Sequence, residues 1–313
     1  MRKSIIRLTL AIIASQFWAW AVANAGRPQI SGGIDARFIG SNDDQGEAKV
    51  EGIFLNLRKV FSDNKADRII AVAQMDWDDN FHSLRPYQTY VHYKGPLGRW
   101  NLLVGHFILP FGLLQDFDSE RLLIQTEEFR NLGIKLDTGA KASGHLGDFN
   151  YSLSVSQGIG RYRIHDNDEN KLIVGRIGLD QKNWTGGVSI LNGRVFTKID
   201  GAPLSDYRNL SALDATGFFG PTTVRVEAAA GKSGGKNEKA AYLGIDHAVS
   251  TRLELNLKYA YWKENLTWQD WGIGLSYNIW RRFITRAAYQ YQHSQEDDHE
   301  VSIQIYWDFG KTL

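Results

Sequence analysis

Few of the residues able to do chemistry in this chain are spaced to do it. There is no cysteine, which removes disulfides, thiolate metal sites, Cys-attached haem and cysteine nucleophiles. The eight histidines are scattered. Only His293 and His299 fall close enough to share a loop, and no metal site is expected. Gly231-Lys232-Ser233 has the tail of a phosphate-binding loop. The full motif needs Gly where Val226 stands and a helix afterwards, and neither is present. No Ser and His fall together on an apolar face, where a barrel hydrolase would carry them. The residues argue against an enzyme, and they imply no cofactor and no metal.

What the chain does have is charge in register. Leu253, Leu255, Leu257, Tyr259 and Tyr261 alternate with Arg252, Glu254, Asn256 and Lys258. Trp271, Ile273, Leu275, Tyr277 and Ile279 alternate with Gly272, Gly274, Ser276 and Asn278. Val301, Ile303, Ile305, Trp307 and Phe309 alternate with Ser302, Gln304, Tyr306 and Asp308. Successive side chains on a strand point to opposite faces, so each segment has one apolar and one polar face. Many of these segments are longer than the usual soluble strand of about five or six residues. They match the roughly nine to eleven that a tilted strand needs to cross a bilayer. Aromatics gather near the segment ends: Trp77, Tyr93, Trp100, Tyr151, Trp184, Tyr261, Trp262, Trp268, Trp271 and Trp280. Interfacial girdles of this kind belong to membrane barrels.

The predicted fold is therefore all-β: a transmembrane antiparallel β-barrel of about sixteen strands. Tight joins at 61–65, 95–98, 144–147, 181–183, 220–221, 248–250 and 280–281 fall after even-numbered strands. That places them, with the termini, on the periplasmic side. The parity requires a strand at 207–219, although its alternation is poor.

The N-terminus has its own pattern. Arg2, Lys3 and Arg7 precede an apolar stretch from Leu8 to Val22, followed by Ala23-Asn24-Ala25. This predicts a signal peptide over 1–25 and a single barrel domain over 26–313, exported to the outer membrane. The whole chain carries a formal charge of +1. No polybasic tail argues for nucleic acid.

A barrel of this size leaves an aqueous lumen, whereas smaller ones fill with side chains. The alternation places Arg37, Arg68, Lys94, Arg99, Lys135, Lys141, Arg176, Arg225, Arg252, Lys258, Arg282 and Arg286 on the inner face. Against them stand Asp35, Asp76, Asp137, Asp180, Glu227, Glu254 and Asp308. The excess of bases, with Arg37, Lys135, Arg176, Arg225 and Arg286 as the wall set, predicts a weak preference for anions.

One connection, 109–130, is too apolar for a freely solvated loop. By parity it is the third extracellular loop, and folding into the lumen would bury Phe111, Leu113, Leu114 and Phe117. Pro110, Phe111 and Gly112 would turn the chain inward, with Asp116, Asp118, Glu120, Arg121, Glu127 and Glu128 set at the constriction.

Val104-Gly105-His106-Phe107-Ile108-Leu109-Pro110-Phe111-Gly112, the later Glu120-Arg121, and Gly133 resemble the pattern of the phosphate-selective porin O/P family. Gly220-Pro221 followed by Val224, Val226 and Glu227 is similar to that family's turn into an acidic strand. The resemblance implies a sixteen-stranded pore, often a homotrimer, with this loop at the constriction. The acidic loop departs from a phosphate-dedicated site. So does the chain end, where Phe309 is followed by Gly310-Lys311-Thr312-Leu313.

The expected function is an outer-membrane porin passing small hydrophilic solutes or anions, with membrane lipid as its surroundings. The alternative is a barrel acting as a sheath or scaffold for an exported partner protein such as an electron carrier.

Overall fold

Period-two alternation lets both faces of a strand be satisfied at once, provided that water fills one side and lipid the other. A computed structural model describes residues 27–42, 46–62, 67–78, 83–113, 136–160, 171–199, 202–264, 266–294 and 297–312. The strands are β1 (Gln29–Ser41), β2 (Glu47–Ser62), β3 (Asp67–Asp78), β4 (Ser83–Lys94), β5 (Asn101–Ile108), β6 (Leu136–Leu146), β7 (Phe149–Ser156) and β8 (Leu172–Asp180). They continue as β9 (Trp184–Ile199), β10 (Ala202–Phe219), β11 (Thr222–Ser233), β12 (Lys236–Ala248), β13 (Leu253–Lys263), β14 (Thr267–Trp280), β15 (Phe283–His293) and β16 (Asp297–Thr312). Each pairs antiparallel with its sequence neighbours, and β1 closes on β16 from Gln29↔Thr312 to Ser41↔Glu300. Closure leaves no unpaired edge, which is the condition for a sheet to stand in hydrocarbon.

The faces are reversed relative to a water-soluble protein. Ile177 and Leu213 are 65% and 61% exposed, whereas Gln304 is 0% and Arg37 9%. Apolar groups point out and polar groups point in. A Lys or Arg on the lipid face at mid-membrane costs about 2–4 kcal/mol, so this sorting is strongly enforced. Near the tight-turn end the exterior carries paired rings: Tyr93 with Trp100 at 5.3 Å, Trp280 with Phe283 at 5.6 Å, and Trp307 with Phe309 at 5.7 Å. At the other end Tyr259 and Trp271 lie 4.2 Å apart.

The strand required by parity is present and longer than expected, starting at Ala202. Three expectations need correction. Gly144 is no turn residue, since β6 runs to Leu146 and the turn is Gly147–Asp148. A side chain at Gly144 would strike the Arg99 backbone and the Tyr151 hydroxyl, so this glycine permits a close approach. Trp262 and Trp268 face each other at inward positions and are not girdle residues. The indole N–H of Trp262 donates to Glu238 Oε1 at 3.0 Å. Arg99, Arg252 and Arg282 lie in exposed turns and not on the inner wall. The predicted signal peptide lies outside the described residues.

Candidate functional site: the lumen at the root of the third loop

The chain leaving β5 goes inward. Leu109 through Leu113 are all buried, with Leu109 at 0% and Phe111 at 1% exposure. Pro110 cannot donate to a ladder, which ends the strand. A tight bend follows, closed by Phe111 N–H to Leu109 O at 3.0 Å. Gly112 then adopts φ +55°, a left-handed conformation that glycine takes without steric cost. A Cβ there would collide with the Glu227 carboxylate. The Gly112 N–H donates to Ser189 Oγ at 3.0 Å, and the Leu113 N–H to Glu227 Oε2 at 3.3 Å. Ser189 is on β9 and Glu227 on β11, so a segment rooted on β5 has crossed the barrel interior.

Those two bonds fix direction, and apolar packing supplies most of the hold. Phe107, Leu109 and Phe111 form one cluster with Leu172, Val174, Leu191, Val195, Leu210, Ala212, Ala229 and Ala240. These are inward side chains of β8 to β12. They alternate with exposed lipid-facing residues such as Ile173, Ile190 and Leu213. This stretch of wall is apolar on both faces, and the loop root rests on it. Burying a Leu or Phe is worth roughly 1.5–3 kcal/mol, against about 0.5–1.5 for a typical hydrogen bond. Packing therefore decides where the loop root sits. The next long connection is pinned nearby: Asp137 accepts from the Gly158 N–H at 2.5 Å and the Thr138 N–H at 2.9 Å.

The charged wall residues mostly come in pairs. Arg37 binds Asp35 at 2.6 Å, Arg176 binds Asp214 at 2.5 Å, and Lys258 binds Asp270 at 2.6 Å. Arg225 pairs with Asp246. Arg286 differs. It donates to Gln304 Oε1 at 2.6 Å, lies 5.7 Å from the Tyr306 ring, and has no carboxylate in ion-pair range among the described residues. Lys141 is similar, with the Ile108 carbonyl at 3.3 Å and the Phe107 ring at 5.2 Å.

Of the five basic wall residues expected from the sequence, Arg37, Arg176, Arg225 and Arg286 point inward. Arg176 and Arg225 stand on the same side as the loop root at 109–113. Arg176 packs against Gly187, two residues from Ser189, and Arg225 stands two residues from Glu227. Both belong to the wall that carries the loop root. Arg37 and Arg286, on β1 and β15, lie on the far side of the closed order. Pro110, Phe111 and Gly112 are in the lumen. Lys135, Asp116, Asp118, Glu120, Arg121, Glu127 and Glu128 lie outside the described residues.

No family model matches the chain, and no curated protein does. Solved structures do. An anion-selective porin from Comamonas acidovorans is 15% identical, with 91% of this chain and 100% of that chain covered and a TM-score of 0.70. The trimer form of OmpT, an outer membrane protein of Vibrio cholerae, is 9% identical, with 91% and 99% covered and a TM-score of 0.72. The outer membrane channel DcaP of Acinetobacter baumannii is 13% identical, with 91% and 97% covered and a TM-score of 0.63. The chain has the fold of these outer-membrane porins, a closed sixteen-stranded antiparallel β-barrel.

Within that fold, sequence reading missed the anchoring roles of Ser189 and Glu227 and the apolar platform beside them. A signal for the platform existed. Leu172-Ile173-Val174 and Ile190-Leu191 are unbroken apolar runs where strict alternation demands a polar inward residue.

Proposed function

We propose that the protein is a passive, non-enzymatic diffusion channel for small hydrophilic solutes, with its third extracellular loop at the narrowest point and a weak preference for anions. The observation that carries this reading is the course of residues 109–113. They enter a barrel wide enough for water, cross it, and bond to Ser189 and Glu227. The acidic residues Asp116, Asp118, Glu120, Glu127 and Glu128 follow this anchor in the sequence, and in this reading they supply an acidic lip to the opening. Lumen space taken by the loop root works against the alternative of a sheath around a partner protein.

The anion preference is supported by Arg286 and Lys141, neither of which has a carboxylate within ion-pair range among the described residues. It is weak because Arg37, Arg176, Arg225 and Lys258 are neutralised locally. An anion-selective porin among the similar structures is consistent with it. Kinship to the phosphate-selective porin O/P family rests on the Pro110-Phe111-Gly112 segment. A homotrimer is supported by the trimer form of one similar barrel. Cross-linking in native membranes tests the homotrimer. Cleavage after Ala25 would be read by N-terminal sequencing of the exported protein.

Planar-bilayer recording tests the main reading. Purified protein is expected to conduct alone, with reversal potentials in a salt gradient favouring anions. The preference should fade as salt shrinks the Debye length from about 30 Å at 0.01 M to about 10 Å at 0.1 M. Absence of conductance from correctly folded barrels would refute the channel. Cation selectivity at low salt would refute the preference and assign control to the acidic lip.

A further inference from the structure

We propose that the outward face of β11–β13, at its extracellular rim, binds phosphate-bearing lipid headgroups of the outer leaflet. Lys239 and Lys263 stand directly opposite each other across the β12–β13 ladder. Both are exposed. Lys232 lies on the adjoining strand, one outward position beyond Ala230, which pairs with Lys239. Directly opposed side chains on an antiparallel pair have Cβ atoms about 4.5–5.5 Å apart, and diagonal neighbours about 7–8 Å. Three ammonium groups on three consecutive strands can therefore converge on one anion.

Like charges placed directly opposite are unfavourable unless something neutralises them. Nothing in the described part of the protein does. None of the three lysines has a carboxylate within ion-pair range among the described residues. Every described carboxylate of β9–β13 occupies an inward position: Asp206, Asp214, Glu227, Glu238, Asp246 and Glu254. Arg194, also outward and exposed, extends the basic arc onto β9.

The position of the arc identifies its partner. Below it on the same strands the outward residues are Ala228, Ala241, Leu243 and Tyr259, the start of the apolar band. Side chains one pleat above that band meet lipid headgroups, and clustered Lys and Arg at that depth recognise anionic ones. At the corresponding rim, β14–β16 carry Trp271, Tyr289 and Tyr291, interfacial anchors, and the one outward acid there, Asp297, is already matched by His293 at 2.5 Å. The contact is therefore one-sided. It also gives Lys232 a role outside the phosphate-loop resemblance. Its neighbour Ser233 faces inward and accepts from Arg208 Nε at 2.9 Å. A second copy is a poor occupant, since these strands offer no outward acid in return.

The proposal does not depend on conductance, so a failed channel assay would leave it standing. The test uses the full barrel in neutral detergent, with native mass spectrometry counting bound bis-phosphorylated lipid A or phosphatidylcholine. Wild type should retain lipid A in preference to phosphatidylcholine. The triple variant K232Q/K239Q/K263Q, shown to be folded by heat-modifiable gel mobility, should lose affinity by the order of a hundredfold. The arginine triple at the same positions should keep it. Equal retention of both lipids by wild type, or undiminished lipid A on the glutamine triple, would overturn the proposal. Displacement of lipid A by equimolar inorganic phosphate would overturn its assignment to lipid. The chain has no cysteine, so K263C reports cleanly on a covering copy. A disulfide between two protomers in native membranes would also overturn it.

Discussion

The inner walls of β8–β12 and of β15, β16 and β1 obey the same period-two geometry, but the first carries an apolar patch set among its charged residues Arg176, Asp214 and Glu227. On the first, Leu172, Val174, Leu191, Leu210 and Ala212 point inward and are closed over by Phe107, Leu109 and Phe111. On the second, Asp35 and Arg37 bond to each other, Arg286 bonds to Gln304, and Ser302 is buried beside them. An inward position in a wide barrel is thus no guarantee of polarity. It is polar where inward side chains pair with one another and apolar where they support a loop. The loop root thus takes up the β8–β12 side of the lumen.

The most severe way to break the contrast is to remove the loop. Deleting 114–124 should leave the strands paired and raise single-channel conductance severalfold. Unchanged conductance in a folded mutant would reassign the loop to a lid or a subunit contact. Loosening the loop root comes next. Phe111→Ala empties a buried site worth about 3–5 kcal/mol in a well-packed core. Leu191→Asp places a charge in the platform itself. Both should give noisy, gating conductance levels and open the 109–113 segment to protease, with the barrel still heat-modifiable.

Charge substitutions on the two walls should then separate stability from selectivity. Arg176→Ala leaves Asp214 buried and unpaired, a change of about 3–5 kcal/mol for a buried pair. It should lower the unfolding midpoint and shift the reversal potential little. Arg286→Gln removes an inward cation with no carboxylate in ion-pair range among the described residues, so it should do the reverse: near-normal stability and a measurable loss of anion preference at low salt. If both variants change selectivity equally, the comparison of the walls fails. The smallest effect is expected at the anchor. Glu227→Gln keeps an acceptor for the Leu113 N–H, whereas Glu227→Ala loses it at about 1 kcal/mol. Only the second should raise current noise.

Much of this was legible in the chain. Alternation in 253–262, 268–280 and 299–309 dictates strands, because side chains of one strand must serve lipid and water on opposite faces. Turn parity dictated an even count and recovered β10, whose own alternation is blurred. The blur has a cause. With Leu210 and Ala212 inward and Leu213 outward, the middle of β10 is apolar on both sides, and period-two contrast vanishes there. Pro110 and Gly112 marked the point where the chain leaves the sheet.

The tertiary structure alone decided the rest. Whether a base is available to a passing anion depends on which carboxylate the closed register sets beside it. Arg176 finds Asp214 two strands away, while Arg286 finds Gln304. A linear pattern gives the face of each side chain but not its height, because strand tilt and bulges, such as the one between Asp35 and Ala36, shift neighbours along the wall. The composition of the inner wall was therefore set by the sequence, and its electrostatics by closure of the barrel.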